Sequence, residues 1–210
     1  MNIQEFCKER PYLYHLTDKE NLPLILKSKT LSSAMDIAQK ALTKEDAKSF
    51  LQNKRDNHVT LTVNGVDYKI RDQNPILMKV LERSLSDGMT TGEFIELLNS
   101  RVFWWPTIDR LTRHYNRYVN EHPVILRVNT HEMLQLNKNI ELCHLNSGAT
   151  RCHPAYGGNA PTRGRESFLS PQHYHRGISS VAEVTFVNKC QLPDIVWIGN
   201  SPTGTWRELK

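Results

Sequence analysis

Short runs in which apolar and polar residues alternate with a period of two are separated along this chain by runs with the helical period. "PYLYHLT", Pro11 to Thr17, is short and aromatic, with a turn after it, and predicts a strand. A helix follows in "DKENLPLILKSK". Thr17 and Glu20 have capping-box spacing, but that start would put Pro23 inside the helix, where its ring clashes with the preceding turn. A start near Asn21 fits better, with Pro23 in the first turn and Leu22, Leu24, Ile25 and Leu26 on the buried side. "LSSAMDIAQKALTKEDAKSFLQNKR" predicts a second helical region, solvated and peripheral. "HVTLTVNGVDYKIRD" is a hairpin signal: Asn64-Gly65 suits a type I′ turn, which needs positive φ twice, between alternating Val59, Leu61, Val63 and Val66, Tyr68, Ile70. "NPILMKVLERSLSDG" predicts an amphipathic helix ended by Gly88, and "TTGEFIELLNS" another, with Thr90 and Glu93 in capping-box spacing.

Further on, "RVFWWP" predicts a strand closed by Pro106, and "TIDRLTRHYNRYVNE" a basic helix. "PVILRVN" reads as a buried strand, "THEMLQLN" as a short helix begun by Thr130, and "IELCHLNSGA" as a strand and turn. "QLPDIVWIG" predicts a last strand. No internal repeat or second domain is visible, so residues 1–210 are expected to form a single α+β domain with antiparallel strands gathered from both ends of the chain.

"VAEVTFV", Val181 to Val187, predicts a strand with Glu183 in the middle of an apolar run. Alternation puts Val181, Glu183, Thr185 and Val187 on one face and Ala182, Val184 and Phe186 on the other. A central strand seldom holds an ionised Glu, because burying an unpaired charge costs several kcal/mol. Either this is an edge strand with Glu183 in water, or its face opens into a cleft where a carboxylate acts. The stretch just before it, Thr150 to Gly177, is long, irregular and rich in Gly, Pro, Arg and His; such segments inside compact domains are usually functional or disordered.

Composition narrows the picture little. The chain has 210 residues, net charge +5 and four dispersed cysteines, Cys7, Cys143, Cys152 and Cys190. The mild positive charge favours a polyanionic partner without requiring one. No apolar run approaches the roughly 18 residues a membrane span needs. The polar start "MNIQEFCKER" is unlike a secretory signal, so a cytoplasmic location with reduced thiols is expected. Neither GxxxxGK[ST] nor GxGxxG nor GxSxG occurs. Cys143-His144 and Cys152-His153, with His173 and His175 downstream, offer metal-ligand types, but the CH-x7-CH repeat matches no common zinc spacing, and no metal is expected.

Both ends of the chain resemble the DarT-like ADP-ribosyltransferase superfamily. "YHLTDKENLPLIL" is similar to its opening strand and Asn-Leu-Pro helix, and "SVAEVTFVNKCQLPDIVWI" to its closing stretch, where an Ala-Glu-Val strand carries the catalytic glutamate. The middle, with "RDQNPILMKVL", "LNSRVFWWP" and "LNSGAT", resembles the branch of CmdT-type mRNA ADP-ribosyltransferase toxins of phage-defence systems. The resemblance implies an ADP-ribosyltransferase-like fold of split antiparallel β-sheets with flanking helices. It also implies a mono-ADP-ribosyltransferase that uses NAD to modify a nucleic-acid base, most simply in single-stranded RNA, as a toxin restrained by an antitoxin partner and without a membrane role. The alternatives are single-stranded DNA or a protein as acceptor, or a non-catalytic RNA-binding module.

For the residues, the resemblance implies that Glu183 is catalytic and that His15 hydrogen-bonds a ribose hydroxyl of NAD, with Thr17 and Asn21 supporting it. "RVFWWP" takes the place where relatives carry a Tyr or a Ser-Thr-Ser triplet. Phe103, Trp104 and Trp105 stand there instead, and Trp105 is the ring nominated for the cofactor. Arg101 or Arg110 matches the arginine aimed at NAD, Arg101 being nominated. Asn146, with Ser147, lines the pocket or forms a turn. Arg163 to Arg176 takes the place of the acceptor loop and offers Arg163, Arg165, Tyr174, His175 and Arg176, cations for phosphate and rings for stacking. The basic helix offers Arg113, His114, Tyr115, Arg117 and Tyr118, a similar mix.

Overall fold

A computed structural model describes residues 1–152 and 156–209. In chain order, α1 (Ile3–Glu9) leads into β1 (Tyr12–Thr17), α2 (Leu22–Ser28), β2 (Thr30–Ser32), α3 (Ala34–Ala41) and α4 (Lys44–Gln52). The hairpin β3 (Val59–Val63) and β4 (Val66–Ile70) follows, then α5 (Met78–Ser84), α6 (Thr91–Asn99), β5 (Arg101–Trp104) and α7 (Ile108–Tyr118). The last part comprises β6 (Val124–Asn129), α8 (Thr130–Leu136), β7 (Ile140–Cys143), β8 (Glu183–Val187), β9 (Lys189–Gln191), β10 (Val196–Gly199) and β11 (Arg207–Leu209).

Local chemistry sets most of these boundaries. Asn21 is the N-cap of α2 and Pro23 sits in its first turn, so the proline costs no helical hydrogen bond. The helical region after Leu31 is two helices, because Ser33 and Thr43 each accept a backbone N–H and start a new one. Thr90 and Glu93 form the reciprocal capping box. Asn64 and Gly65 both take positive φ in the hairpin turn. Three expectations shift. The helix expected up to Gly88 ends at Ser84, because Leu85 turns extended and Asp87 and Gly88 carry positive φ. α8 is capped by Asn129, whose side chain accepts from Glu132 N, while Thr130 is buried and donates to Arg10 O. "QLPDIVWIG" divides, Gln191 closing β9 and Val196 opening β10.

Two antiparallel sheets carry the architecture. One is four-stranded in the order β1-β6-β10-β11, the other three-stranded in the order β5-β8-β7. They are joined where Tyr14 and Trp105 exchange backbone hydrogen bonds of 3.0 and 2.8 Å. The largest apolar cluster lies between them: Leu13, Leu126, Val128, Val196 and Ile198 from the first sheet meet Val102, Trp104, Leu142, Val184 and Phe186 from the second. A second cluster packs α5 and α6 against Phe103, Cys143 and Phe168. A third lays α7 over Leu16 and Ile125. A fourth seals α3 and α4 to the β3–β4 hairpin. The fold is α+β, with small antiparallel sheets and flanking helices, and among the described residues no helix is long and apolar enough to cross a membrane.

Candidate active site

β8 is the middle strand of its sheet, hydrogen-bonded to β5 on one side and β7 on the other. This overturns the edge-strand alternative for Glu183, which is only 3% exposed. Its carboxylate is held from the loop after β7. Ser147 N donates to both carboxylate oxygens at 3.2 Å, and Ser147 Oγ donates to Oε2 at 2.6 Å. Burial nevertheless dominates and pushes the Glu183 pKa up from 4.5 to about 7, the two Ser147 bonds and the charges of Arg110 and Arg163 opposing it. The neighbouring Cys143 is paired across from Glu183, and its thiol is held well above its usual range by burial first and the carboxylate second. That makes it a poor source of thiolate.

His15 comes from the other sheet. Its Nδ1 lies 2.8 Å from Phe103 O, an acceptor only, so Nδ1 carries the proton and Nε2 keeps a lone pair. Burial pulls the His15 pKa from 6.5 to about 4, keeping the ring neutral at physiological pH. It leans on Trp104, ring centroids 5.3 Å apart.

One cavity of about 500 Å³ is lined by both His15 and Glu183. Thr17, Asn21, Arg101, Trp105 and Asn146, the other residues nominated for the cofactor, line it as well. The size suits a ligand pocket, roughly 300–1,000 Å³. Strand alternation explains the aromatic wall: Phe103 and Trp105 line the cavity, whereas Trp104 points into the apolar cluster between the sheets. Trp105 is stacked on His114 at 4.4 Å, and burial together with nearby Arg71 and Arg117 pulls the pKa of that histidine down to about 3.

Three nominations change in character. Arg101 touches the cavity, but its donors are spent inside the protein: Nε and Nη2 grip Glu141 at 2.7 and 3.1 Å, and Nη1 reaches Leu97 O and Ser100 Oγ. It shapes a wall and has no fork left for a ligand, and Arg110 is not among the lining residues. Arg163 and Tyr174 do not belong to an acceptor surface, being 2% and 1% exposed. Arg163 donates to Pro161 O and Ala149 O, tying the long irregular segment down, and Tyr174 is a core ring whose hydroxyl meets Ser180 Oγ. Arg165, His175 and Arg176 are exposed. Asn21 lines the cavity with both amide atoms bonded to the Lys69 backbone, which anchors the hairpin beside α2.

Sequence reading missed Arg55 and Arg71, which line the cavity from the segment before β3 and the residue after β4. Ser147 was noticed without its role under Glu183. Among the described residues no group of His, Cys, Asp and Glu is placed to hold a metal, and His153 lies outside them.

No curated protein and no solved structure matches the chain. The profile of DUF7002, a family of unknown function, matches residues 11–195, a span that opens just before the strand of His15 and closes beyond that of Glu183, and the chain belongs to that family.

Proposed function

We propose that this chain is an NAD-dependent mono-ADP-ribosyltransferase acting on a nucleic-acid base, with single-stranded RNA as the acceptor. The observation that carries the reading is the meeting of His15 and Glu183, from different sheets and 168 positions apart, in one cavity of about 500 Å³. NAD, as substrate, supplies an activated glycosidic bond between nicotinamide and ribose. The residues present suit it: an apolar ring wall at Phe103 and Trp105, a hydrogen-bond acceptor at His15 Nε2 and a carboxylate.

His15, neutral and fixed by Phe103 O, accepts a ribose hydroxyl. Glu183, once ionised, faces the positive charge that develops at the anomeric carbon as nicotinamide leaves with the bonding electron pair, and a preorganised carboxylate there is worth several kcal/mol. Glu183 also takes the proton of the attacking group as its bond to that carbon forms, and passes it to water. Ser147 keeps the carboxylate aimed through its two donors. Exposed Arg165, His175 and Arg176 supply cations and rings for a strand of RNA.

The test incubates the protein with labelled NAD and separate pools of RNA, DNA and cell protein. Label is expected on RNA and lost with Glu183→Gln. Label on protein or DNA alone overturns the acceptor, and label on no pool overturns the transferase reading in favour of a binding module.

A further inference from the structure

Arg55 and Arg71 meet beside the cavity, and Arg71 brings guanidinium donors there that no acceptor among the described residues takes up. Arg55 is heavily braced. Its backbone is tied to Gln73 by bonds of 3.1 and 2.7 Å, its Nε donates to Arg71 O at 3.2 Å, and Nη1 donates to Asn99 Oδ1 at 2.9 Å. The guanidinium also lies over Phe50, 5.0 Å from the ring centroid. All of these direct partners are neutral, and Asp72 is the anion that bears on the Arg55 charge. Arg71 lies 4.4 Å over Tyr118 and has one carboxylate, the half-exposed Glu121, at 3.3 Å from Nη1. Its Nε and Nη2 are buried and have no hydrogen-bond partner among the described residues. Asp18 and Asp72, both on the cavity wall, bear on the Arg71 charge without pairing directly with either arginine among the described residues; the Asp72 carboxylate lies 3.0 Å from His58 Nδ1 and accepts from Asn74 N at 2.9 Å.

Buried donors without acceptors are costly, more so on a charged group. Native structures seldom leave two donors of one guanidinium, here Arg71 Nε and Nη2, unsatisfied on a cavity wall unless something else satisfies them. Planar guanidinium forks match phosphate oxygens in pairs. Arg71 is also the cation whose field reaches both His15 and His114, which sets this wall beside the ribose position proposed above.

We infer that Arg55 and Arg71 form an anion subsite that takes the diphosphate of a nucleotide. The subsite rests on the NAD reading for its natural ligand alone; the unsatisfied Arg71 donors exist without it. It is furnished by the β3–β4 hairpin and the segment before it, elements with no part in holding Glu183. Asn99 serves as its brace, accepting from Arg55 and Gln73 while donating to Leu51 O.

Isothermal titration of the full chain with ADP, adenosine and inorganic pyrophosphate tests this. ADP should bind at least tenfold tighter than adenosine, and pyrophosphate should compete with ADP. Arg55→Gln and Arg71→Gln should each shrink the ADP advantage below threefold while leaving adenosine affinity within twofold. Should a glutamine variant not fold, as judged by circular dichroism, Arg55→Lys and Arg71→Lys replace it, with an intermediate loss expected. Equal binding of ADP and adenosine, no binding of either, or variants that keep the full advantage overturn the subsite. An arginine-dependent ADP preference without NAD turnover sinks the transferase reading and spares the subsite; turnover without that preference does the reverse.

Discussion

Replacing Glu183 by Gln removes an ionisable group whose pKa in the folded chain is about 7 against an ordinary 4.5. Between those values the unfolded chain has released the proton while the folded chain keeps it. The native state therefore binds more protons, and this group makes stability fall as pH rises. At about 1.4 kcal/mol per pH unit, the full interval from 4.5 to 7 comes to roughly 3 kcal/mol, most of which accumulates between pH 5 and pH 8. His15 and His114, held at about 4 and 3, act with the opposite sign, losing stability as pH falls from 6.5. They would mask the effect in the native chain alone, so the difference between variant and native chain is the quantity to read. Glu183→Gln should gain roughly 2–3 kcal/mol on the native chain between pH 5 and pH 8. For a chain of this size that is roughly 5–10 °C in the relative midpoint. Urea unfolding at both pH values measures it. Parallel pH dependences for the two proteins would mean that the carboxylate ionises normally and that its burial has been misjudged.

Three further outcomes follow from the same geometry. Ser147→Ala deletes the 2.6 Å donor to Glu183; a bond to a charged group is worth about 1.5–3 kcal/mol, so the rising limb of kcat/KM should move to higher pH by about one unit. An unchanged limb would show that Ser147 does not tune the carboxylate. His15→Ala should weaken NAD binding by roughly tenfold, one lost hydrogen bond to a ribose hydroxyl, as read by titration with NAD in the Glu183→Gln background; equal affinity would remove His15 from the ribose. Arg101→Met leaves Glu141 without its bidentate partner and should cost about 3 kcal/mol in urea unfolding, most of it recovered by adding Glu141→Leu. A double variant no better than the single one would place the cost in packing against Phe168.

The parts of this fold that were legible beforehand are those in which one local signal settles the matter. Asn64-Gly65 admits little except a hairpin, and Thr90 with Glu93 little except a helix start. Glu183 stood out because a carboxylate in an apolar strand breaks the local pattern, whereas His15 was nominated only through the resemblance of "YHLTDKENLPLIL" to a known family. The short strands β2, β9 and β11 left no such trace, three residues being too few for a periodicity, and the pairing of β2 with β9 joins opposite ends of the chain. Arg163 shows the same limit in a side chain. By composition it belongs with Arg165 and Arg176 on a basic loop, yet two carbonyls fold it inward. Arg55 and Arg71 lie in ordinary solvated-looking sequence, and only their contacts with Asn99 at the end of α6 and Tyr118 at the end of α7 fix them on the cavity wall.

The displaced ionisations of His15 and Glu183 bear on what the pair can do. Burial moves both groups toward neutrality, the histidine down to about 4 and the carboxyl up to about 7. They are therefore not an ion pair at any pH: below about 4 the imidazole is charged and the acid is not, and above about 7 the reverse holds. Between those limits both are uncharged. An acid–base couple in which His15 hands a proton to a leaving group has no support in such an arrangement, because the ring holds no spare proton where Glu183 is an anion. What remains is a division of labour in which His15 stays a fixed acceptor and Glu183 alone changes charge near neutrality. Such a carboxylate is costly while no positive charge stands directly opposite it and is relieved when one develops there, which is the differential stabilisation that a reaction through a cationic centre requires.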